Sequence, residues 1–255
     1  MLSVQIASDL HLESFPSGEI LNTKLPEILV PSAKYLILAG DIFPHHLFLS
    51  QDKRVKVFLN YIKENFSYTY MVPGNHYYYF GSYLNKFMRV FEDYKLKIIN
   101  NLTEDIEGVN IFFTDLWSKP SPNDWFITKH LLDFKRIYND SNQLISYLDY
   151  IQMHEESLTH LETYLKTQPN AVVVSHHLPS YFCIGERYKG DKANCGFASN
   201  LDYLFSKYSI QYWVQGHSHE SWRGEILNTF LIRNPLGYFQ EVNLEYKNDL
   251  IIYLN

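Results

Sequence analysis

YTYMVPGNHYYYF, residues 68–80, joins a short apolar run to a turn and then to a polar pair. The run is apolar on consecutive positions, which is typical of a strand covered on both faces. It ends at Pro73-Gly74, and Asn75 and His76 follow directly. Gly and Asn both tolerate the backbone angles of tight turns, so this stretch alone predicts only a turn. It indicates a functional site if other segments end in the same way at the same place.

Six further runs of β-branched and aliphatic residues predict strands. They are SVQIASD (3–9), KYLILAGD (34–41), NIFFTDLW (110–117), AVVVSHH (171–177), IQYWVQGH (210–217) and TFLIRNP (229–235). Helical spacing predicts helices in KVFLNYIKENF (56–66), in SNLDYLFSKYS (199–209) and after Asp140, where Asp140 and Gln143 resemble a capping box. Strands that alternate with helices predict a layered α/β domain in which ligands gather beyond the carboxyl ends of the strands.

Composition indicates an ordinary globular protein. Of the 255 residues, 46% are hydrophobic and 20% are charged, which allows a substantial core. This length permits one domain or two, and because no repeat or Gly/Ser-rich linker interrupts the chain, we expect a single domain over residues 1–255. The formal net charge of −6 argues against a general nucleic-acid-binding surface.

The sequence also predicts where the protein resides. Its two cysteines, Cys183 and Cys195, are too few for a disulfide scaffold and are not spaced as a zinc clip. Apolar runs are too short to cross a bilayer, and the N-terminal segment does not have the pattern of a secretion signal. We therefore expect a cytoplasmic protein with reduced thiols and no membrane contact.

Side chains suited to metal binding follow five of the predicted strands. In chain order they are Asp9 and His11, Asp41, Asn75 and His76, His176 and His177, and His217 and His219. Positions i and i+2 of an extended chain point to one face, so we expect Asp9 to act with His11, and His217 with His219. Each element is a weak signal by itself. Their shared position at carboxyl ends of strands predicts one metal site.

The order D-x-H, G-D, G-N-H, H and G-H-x-H resembles the calcineurin-like metallophosphoesterase superfamily, and NPLGY (234–238) is similar to a tail found in some bacterial members. The resemblance implies an α/β fold, a four-layer αββα sandwich with two mixed β-sheets flanked by helices, and a pair of metal ions. By this resemblance Asp9, His11 and His219 bind one ion. Asn75, His176 and His217 bind the other, and Asp41 bridges the two. The family usually has Asp or Glu after G-N-H, whereas this chain has Tyr77, which puts the support of that loop or the choice of substrate in question.

Phosphate esters resist hydrolysis because the nucleophile is poor and negative charge builds up in the transition state. Two divalent ions about 3.5–4 Å apart counter both effects, and the expected attack is by a metal-bridging hydroxide. A ligand set of imidazole, carboxylate and amide suits Mn, Fe, Zn, Ni or Co and does not select one of them. His76 diverges from Asn75 at the turn, so we expect it to face the ester and either to protonate the leaving oxygen or to stabilise the transition state.

Other residues have simpler interpretations. We expect His177 to support the site or the fold without binding metal, His45 and His46 to be solvated loop residues, and His130, His154 and His160 to lie on the surface or on a helix face. The tyrosines of HYYYF offer faces for stacking on a base or aryl group, and loop packing is the preferred interpretation. Residues 118–140 are a candidate cap that determines specificity.

The leading functional prediction is a dinuclear metal-dependent hydrolase of a phosphate monoester or diester, with a small phosphate ester as substrate. The alternatives are a nuclease of the same superfamily, which the negative charge disfavours, and a protein-interaction scaffold without turnover. A structural zinc site fits poorly because such sites are typically closed and rich in Cys. The sequence leaves the oligomeric state open.

Overall fold

The fold is described from a computed structural model, which covers residues 1–84, 86–121 and 125–255, with only the backbone at residue 125. The strands are β1 Leu2–Ala7, β2 Tyr35–Ala39, β3 Tyr68–Val72, β4 Gly81–Ser82, β5 Phe87–Phe91, β6 Leu96–Asn100, β7 Leu102–Ile106, β8 Val109–Thr114, β9 Ile137–Tyr138, β10 Ala171–Ser175, β11 Ile210–Gln215, β12 Trp222–Ile226, β13 Thr229–Arg233 and β14 Ile251–Leu254. The α-helices are α1 Gly18–Ile28, α2 His45–Leu49, α3 Lys53–Asn65, α4 Trp125–His130, α5 Asp133–Arg136, α6 Tyr147–Leu165 and α7 Tyr203–Lys207.

Two six-stranded mixed sheets organise the described residues. The first has the order β14-β1-β2-β3-β6-β5 and the second has the order β12-β13-β11-β10-β8-β7. In each sheet the four central strands run parallel, and an antiparallel strand closes each edge. The carboxyl ends of parallel neighbours meet at one edge, so five loops that follow β1, β2, β3, β10 and β11 are brought to one place.

Three apolar cores separate four layers. The central core packs one sheet on the other, with Val4 and Ile37 of the first sheet facing Val174 and Val214 of the second. A second core lies between the first sheet and the helices α1 and α3, and a third lies between the second sheet and the helices α6 and α7. Strand β10, AVVVS, is covered on both faces, and its residues are therefore apolar on consecutive positions. The predicted αββα sandwich of two mixed sheets is confirmed.

All seven predicted strands are present, and each ends before the polar residues that follow it. The predicted helix after Asp140 was wrong at its start. The helix begins at Tyr147, and its capping box pairs Ser146 with Asp149. Asp140 lies in the turn before it, and Leu144 is 45% exposed, because the chain first forms a bridge between Tyr138 and Leu144. The helix predicted over residues 199–209 is limited to Tyr203–Lys207.

Within the described ranges, none of the helices has both the length and the apolar character that crossing a bilayer requires. Cys183 and Cys195, both among the described residues, are not in disulfides.

Candidate metal centre

The seven predicted ligands lie together at the edge where the strands end. Asp9, His11 and His219 form one group whose ligand atoms lie within 4.8 Å of one another. Asp41, His176 and His217 form a second such group. Asn75 joins the second group, because its Oδ1 is 3.0 Å from His176 Nε2. The side chains that the sequence placed at five strand ends are therefore neighbours in the fold.

The backbone at these positions differs from the expected extended geometry. Asp9, His11, Asp41 and His217 have φ values of 52°, 43°, 54° and 68°, which place them in the left-handed region. The argument from side-chain alternation was therefore wrong: Asp9 and His11 do share a ligand group, but His217 and His219 belong to different groups. The strand ends at Ala7, and the chain then turns twice while Asp9 N–H donates to Gly40 O and His11 N–H donates to Asp41 O.

Two glycines allow the loops to approach closely. A Cβ at Gly40 would lie 2.2 Å from His176 Nδ1, and a Cβ at Gly74 would lie 2.3 Å from Asp41 Oδ1. Both glycines also have positive φ values, 93° and 78°. Any side chain at either position would displace a predicted ligand.

The spacing of donor atoms fits coordination of an ion. His11 Nε2 lies 3.0 Å from His219 Nε2, and His217 Nδ1 lies 3.1 Å from His176 Nε2. Two nitrogens bound to one ion at about 2.0–2.1 Å, about 90° apart, would be separated by about 3 Å. The Asp41 carboxylate lies beside the second pair, with Oδ2 3.3 Å from His176 Nε2. The Asp and His clusters thus suit binding of divalent metal ions.

Burial and charge set the protonation of these groups. Burial and the neighbouring His177 and His176 hold the pKa of His217 well below its ordinary value, and burial lowers the pKa of His219. Burial opposes the charged forms of His176 and Asp41, but their mutual attraction outweighs it, raising the pKa of His176 to about 9 and holding that of Asp41 well below its usual range. A divalent ion would displace the proton of His176, so metal affinity should rise with pH.

His76 lies beside the two groups and faces a cavity of about 420 Å³. Its Nδ1 is 2.9 Å from Glu13 Oε1, and its Nε2 is 3.5 Å from Tyr238 Oη and 3.9 Å from Asp41 Oδ2. Burial opposes its protonation, but the charges of Asp41 and Glu13 raise the pKa of His76 overall. The Nε2 side of this imidazole therefore points to the place where an ester would meet the metal ligands.

Glu13 is a site residue that the sequence interpretation missed. Its Oε1 is 2.9 Å from both His11 Nδ1 and His76 Nδ1, so one carboxylate oxygen holds a predicted metal ligand and the predicted acid. Burial would raise the pKa of Glu13, yet the hydrogen bonds from the two histidines lower it to about 2. The signal was present in the sequence, because Glu13 extends D-x-H to D-x-H-x-E.

Two further carboxylates support the G-N-H loop. Asn75 Nδ2 donates to Asp133 Oδ1 at 2.8 Å, which turns Asn75 Oδ1 toward His176. Gly74 N–H donates to Asp115 Oδ1 at 2.8 Å, and Tyr78 O–H donates to Asp115 Oδ2 at 2.6 Å. Asp115 directly follows β8, in the loop that a strand-end search would have reached.

Tyr77, which replaces the usual acid, does not enter this network. Its ring is buried, and its hydroxyl accepts from Arg89 Nη1 at 3.2 Å, on the side of the loop where His45 packs. The support of the loop comes from Asp115 and Asp133 instead. Tyr77, Tyr78 and Tyr79 are all buried, as the packing interpretation predicted.

The histidines outside the two ligand groups lie in different environments. His177 lies outside both ligand groups, and its Nδ1 is 3.0 Å from Asp115 O. His45 and His46 begin helix α2 and have partners in Arg89 and the Tyr79 carbonyl, so their assignment to a solvated loop was wrong. His154, predicted to lie on the surface or on a helix face, lies on the buried face of α6, where its Nδ1 meets the carbonyls of residues 116 and 117.

The candidate cap, residues 118–140, reaches the cavity in part. His130, Leu131, Leu132 and Asp133 line it, facing residues that include Asn194 and Phe197. Residues 122–124 of the segment lie outside the described residues. The role of the segment in specificity stays a prediction.

The layered fold and the clustered strand-end ligands define the metallophosphoesterase class of architecture. A family model described as calcineurin-like phosphoesterase matches residues 2–221, and the chain belongs to this family. The chain is 26% identical to an uncharacterized protein of Acanthamoeba polyphaga mimivirus, over 95% of this chain and 94% of the viral protein.

Solved structures show the same fold. The phosphopantetheinyl hydrolase of Mycobacterium tuberculosis aligns with a TM-score of 0.62 and 16% identity, covering 93% of this chain and 90% of its own. A dimetal phosphatase from Danio rerio aligns with a TM-score of 0.53 and 15% identity, covering 92% of this chain and 87% of its own. Family membership supports a phosphoesterase activity, and the two structures show that the fold is shared.

Proposed function

We propose that this protein hydrolyses a small phosphate monoester or diester with the help of two divalent metal ions. Asp9, His11 and His219 would hold one ion, Asn75, His176 and His217 the other, and Asp41 both. The observation that supports this most strongly is the convergence of all seven side chains at coordination spacing beside a cavity that His76 lines.

When bound, the ions would supply a water of lowered pKa and neutralise charge on the phosphoryl group. Hydrolysis forms a bond from the water oxygen to phosphorus and breaks the bond from phosphorus to the ester oxygen, which needs a proton. His76 Nε2 is placed to give that proton, and the charges of Asp41 and Glu13, which raise the pKa of His76 against the effect of burial, favour its protonated form. Glu13 holds Nδ1–H and so keeps Nε2 directed at the substrate.

Charge disfavours a nuclease. The residues that line the metal cavity include four acids, Asp41, Asp133, Asp191 and Glu241, and no Lys or Arg among those described. A nucleic acid backbone needs cations beside the metal centre to hold the phosphates that do not react. We therefore place the substrate among small esters with one phosphate group.

The test is metal analysis combined with an ester panel. Metal-stripped protein is reconstituted separately with Mn, Zn, Fe, Ni, Co and Mg, and assayed on phosphomonoesters, phosphodiesters and nucleotides. We expect two metal equivalents per chain and hydrolysis of at least one ester class. Two bound equivalents with no hydrolysis of any ester would contradict the proposal and favour the scaffold alternative.

Three variants separate the roles. His76→Ala should lower kcat by ~10²–10⁴-fold with both metals retained, since a positioned acid contributes about that much. Asp41→Asn should lower occupancy of both ions. His160→Ala, on α6 and outside both ligand groups, is the matched control and should change neither quantity. Loss of metal from His76→Ala would contradict its assignment as the acid.

A further inference from the structure

The metal cavity opens into a second, larger groove. The groove has a volume of about 1150 Å³ and shares Ile184, Tyr188, His219 and Glu241 with the cavity. His219 is a predicted metal ligand, so the groove begins at the metal centre itself. A volume of this size exceeds what a small phosphate ester fills, because pockets for drug-sized ligands measure about 300–1,000 Å³.

Apolar side chains form one wall of the groove. Phe182 and Tyr181 are 64% and 42% exposed, and the Phe182 ring meets the Trp222 ring edge-on with centroids 6.0 Å apart. Leu244, which also lines the groove, is 98% exposed. Large apolar side chains concentrated beside a catalytic cavity are typical of a ligand site, since scattered exposure needs no explanation but a contiguous patch does.

The charge of the groove selects against anions. Its lining contains four glutamates, Glu186, Glu220, Glu241 and Glu245, and two cations, Arg187 and Lys189. Lys189 pairs with Glu186 within the same 3₁₀ turn. Three glutamates then face a single arginine, whose guanidinium lies 5.4 Å from the centre of the Tyr188 ring. A second phosphate or a carboxylate would be repelled in this groove.

From these observations we infer that the groove binds the larger organic substituent of the ester, an elongated group that is partly apolar and carries no negative charge. This inference rests on the proposed hydrolysis and specifies its substrate class. The reacting phosphate lies at the metal centre, and the substituent extends past Ile184 and Tyr188 to the wall formed by Phe182 and Trp222. Among small esters, those with the shortest substituents should then have the lowest kcat/KM, because they leave the groove unused.

The experiment uses the metal-loaded full chain and two homologous series of esters. One series is alkyl phosphates, followed by release of phosphate, and the other is alkyl p-nitrophenyl phosphodiesters, followed by release of nitrophenol, each with one to eight carbons. Burial of one methylene is worth up to about fourfold in binding, so kcat/KM should rise about two- to fourfold per carbon over the first several carbons. A slope of zero in the series that is hydrolysed would overturn the inference.

Variants locate the effect. Phe182→Ala and Leu244→Ala, both at exposed positions, should remove most of the dependence of kcat/KM on chain length. The matched control is Leu227→Ala, which is 63% exposed in the turn after β12 and does not line the groove. Equal slopes in the control and in Phe182→Ala would show that the chain binds elsewhere and would also overturn the inference.

The charge of the ester provides an independent test of the inference. An ester that ends in a carboxylate should have a kcat/KM about five- to tenfold below that of its hydroxyl counterpart at low salt, and the double variant Glu241→Gln/Glu245→Gln should narrow this gap. A carboxylate ester preferred over the hydroxyl ester would count against the inference. If no ester of either series is hydrolysed, the proposed function has failed; hydrolysis of the methyl ester with no chain-length dependence means that only the inference has failed.

Discussion

Glu13→Gln is the substitution that tests the site most directly, because one oxygen of Glu13 contacts both His11 Nδ1 and His76 Nδ1 at 2.9 Å. The side chain is 23% exposed, and although burial would raise its pKa, the two hydrogen bonds lower that pKa from 4.5 to about 2. A shift of that size corresponds to about 3 kcal/mol of interaction with the charged carboxylate. The Gln side chain keeps one neutral oxygen as a hydrogen-bond acceptor but lacks the negative charge of the Glu13 carboxylate.

The interaction energy that Gln loses is shared between His11 and His76. About 1.5–3 kcal/mol of it would therefore no longer hold His76 in its orientation. We expect kcat to fall by about 10- to 100-fold, because each 1.36 kcal/mol is a factor of ten. The fall should be larger for an alkyl or phenyl leaving group than for p-nitrophenolate, since a poor leaving group depends more on the proton that His76 donates. A merely structural role for Glu13 would lower both rates equally.

The assay measures kcat for both leaving groups, together with metal content, in wild type, Glu13→Gln, His76→Ala and the double variant. If Glu13 acts through His76, the double variant should be no slower than His76→Ala. A further drop of the same factor in the His76→Ala background would refute the reasoning. Loss of one metal equivalent with unchanged activity per metal would show that Glu13 supports His11 alone.

Two further substitutions test the loops that carry the ligands. Gly74→Ala would place a Cβ 2.3 Å from Asp41 Oδ1, so it should reduce metal content and lower activity by more than about 100-fold. The control is Gly108→Ala, which is also at positive φ but has nothing within 4 Å of the added Cβ. It should cost only about 1–2 kcal/mol of stability. Retention of full metal content by Gly74→Ala would contradict this. Burial raises the pKa of Asp115 from 3.8 to about 6, so the folded state holds the proton more tightly and wild-type stability falls as pH rises from about 4 to 6. In urea unfolding of metal-free protein, the free energy of unfolding of Asp115→Asn relative to wild type should therefore increase by up to about 3 kcal/mol between pH 4 and 7.5. A difference between the two proteins that does not change with pH would disprove this prediction.

Seven of the eight central strands could be predicted because they are buried on both faces, whereas β6, LKIIN, was missed because Lys97 interrupts its apolar run. Val172, Val173 and Val174 are all apolar for this reason, and their neighbours in the sheet follow the same rule. The edge strand β7, LTEDI, has buried and exposed positions mixed, so no apolar run marks it. The start of α6 was misplaced because Asp140-Gln143 and Ser146-Asp149 have the same capping pattern, and only tertiary packing decides between them.

The ligands could be predicted because each follows a strand whose position the apolar pattern gives. Asp133 could not be predicted as a site residue. It belongs to a short helix, α5, and its approach to Asn75 depends on how residues 125–138 fold back to the cavity. Tyr238 was noted only as part of NPLGY, yet its ring lies 4.3 Å from the His11 ring, between centroids. Such contacts join residues far apart in sequence without any periodic signal.

The D-x-H motif succeeds for a physical reason other than strand alternation. A left-handed residue costs about 1–3 kcal/mol when it is not glycine, and Asp9, His11, Asp41 and His217 all adopt this conformation. Hydrogen bonds between loops hold them there, including one from Asp9 N–H to Gly40 O and one from His217 N–H to the side-chain Oδ1 of Asp9. Each turn directs the chain away from its sheet immediately after the strand, so side chains of both sheets meet over the same edge. The ligand geometry is thus set by the backbone of the two sheets together, which explains why donors from positions 9 and 219 lie in one group.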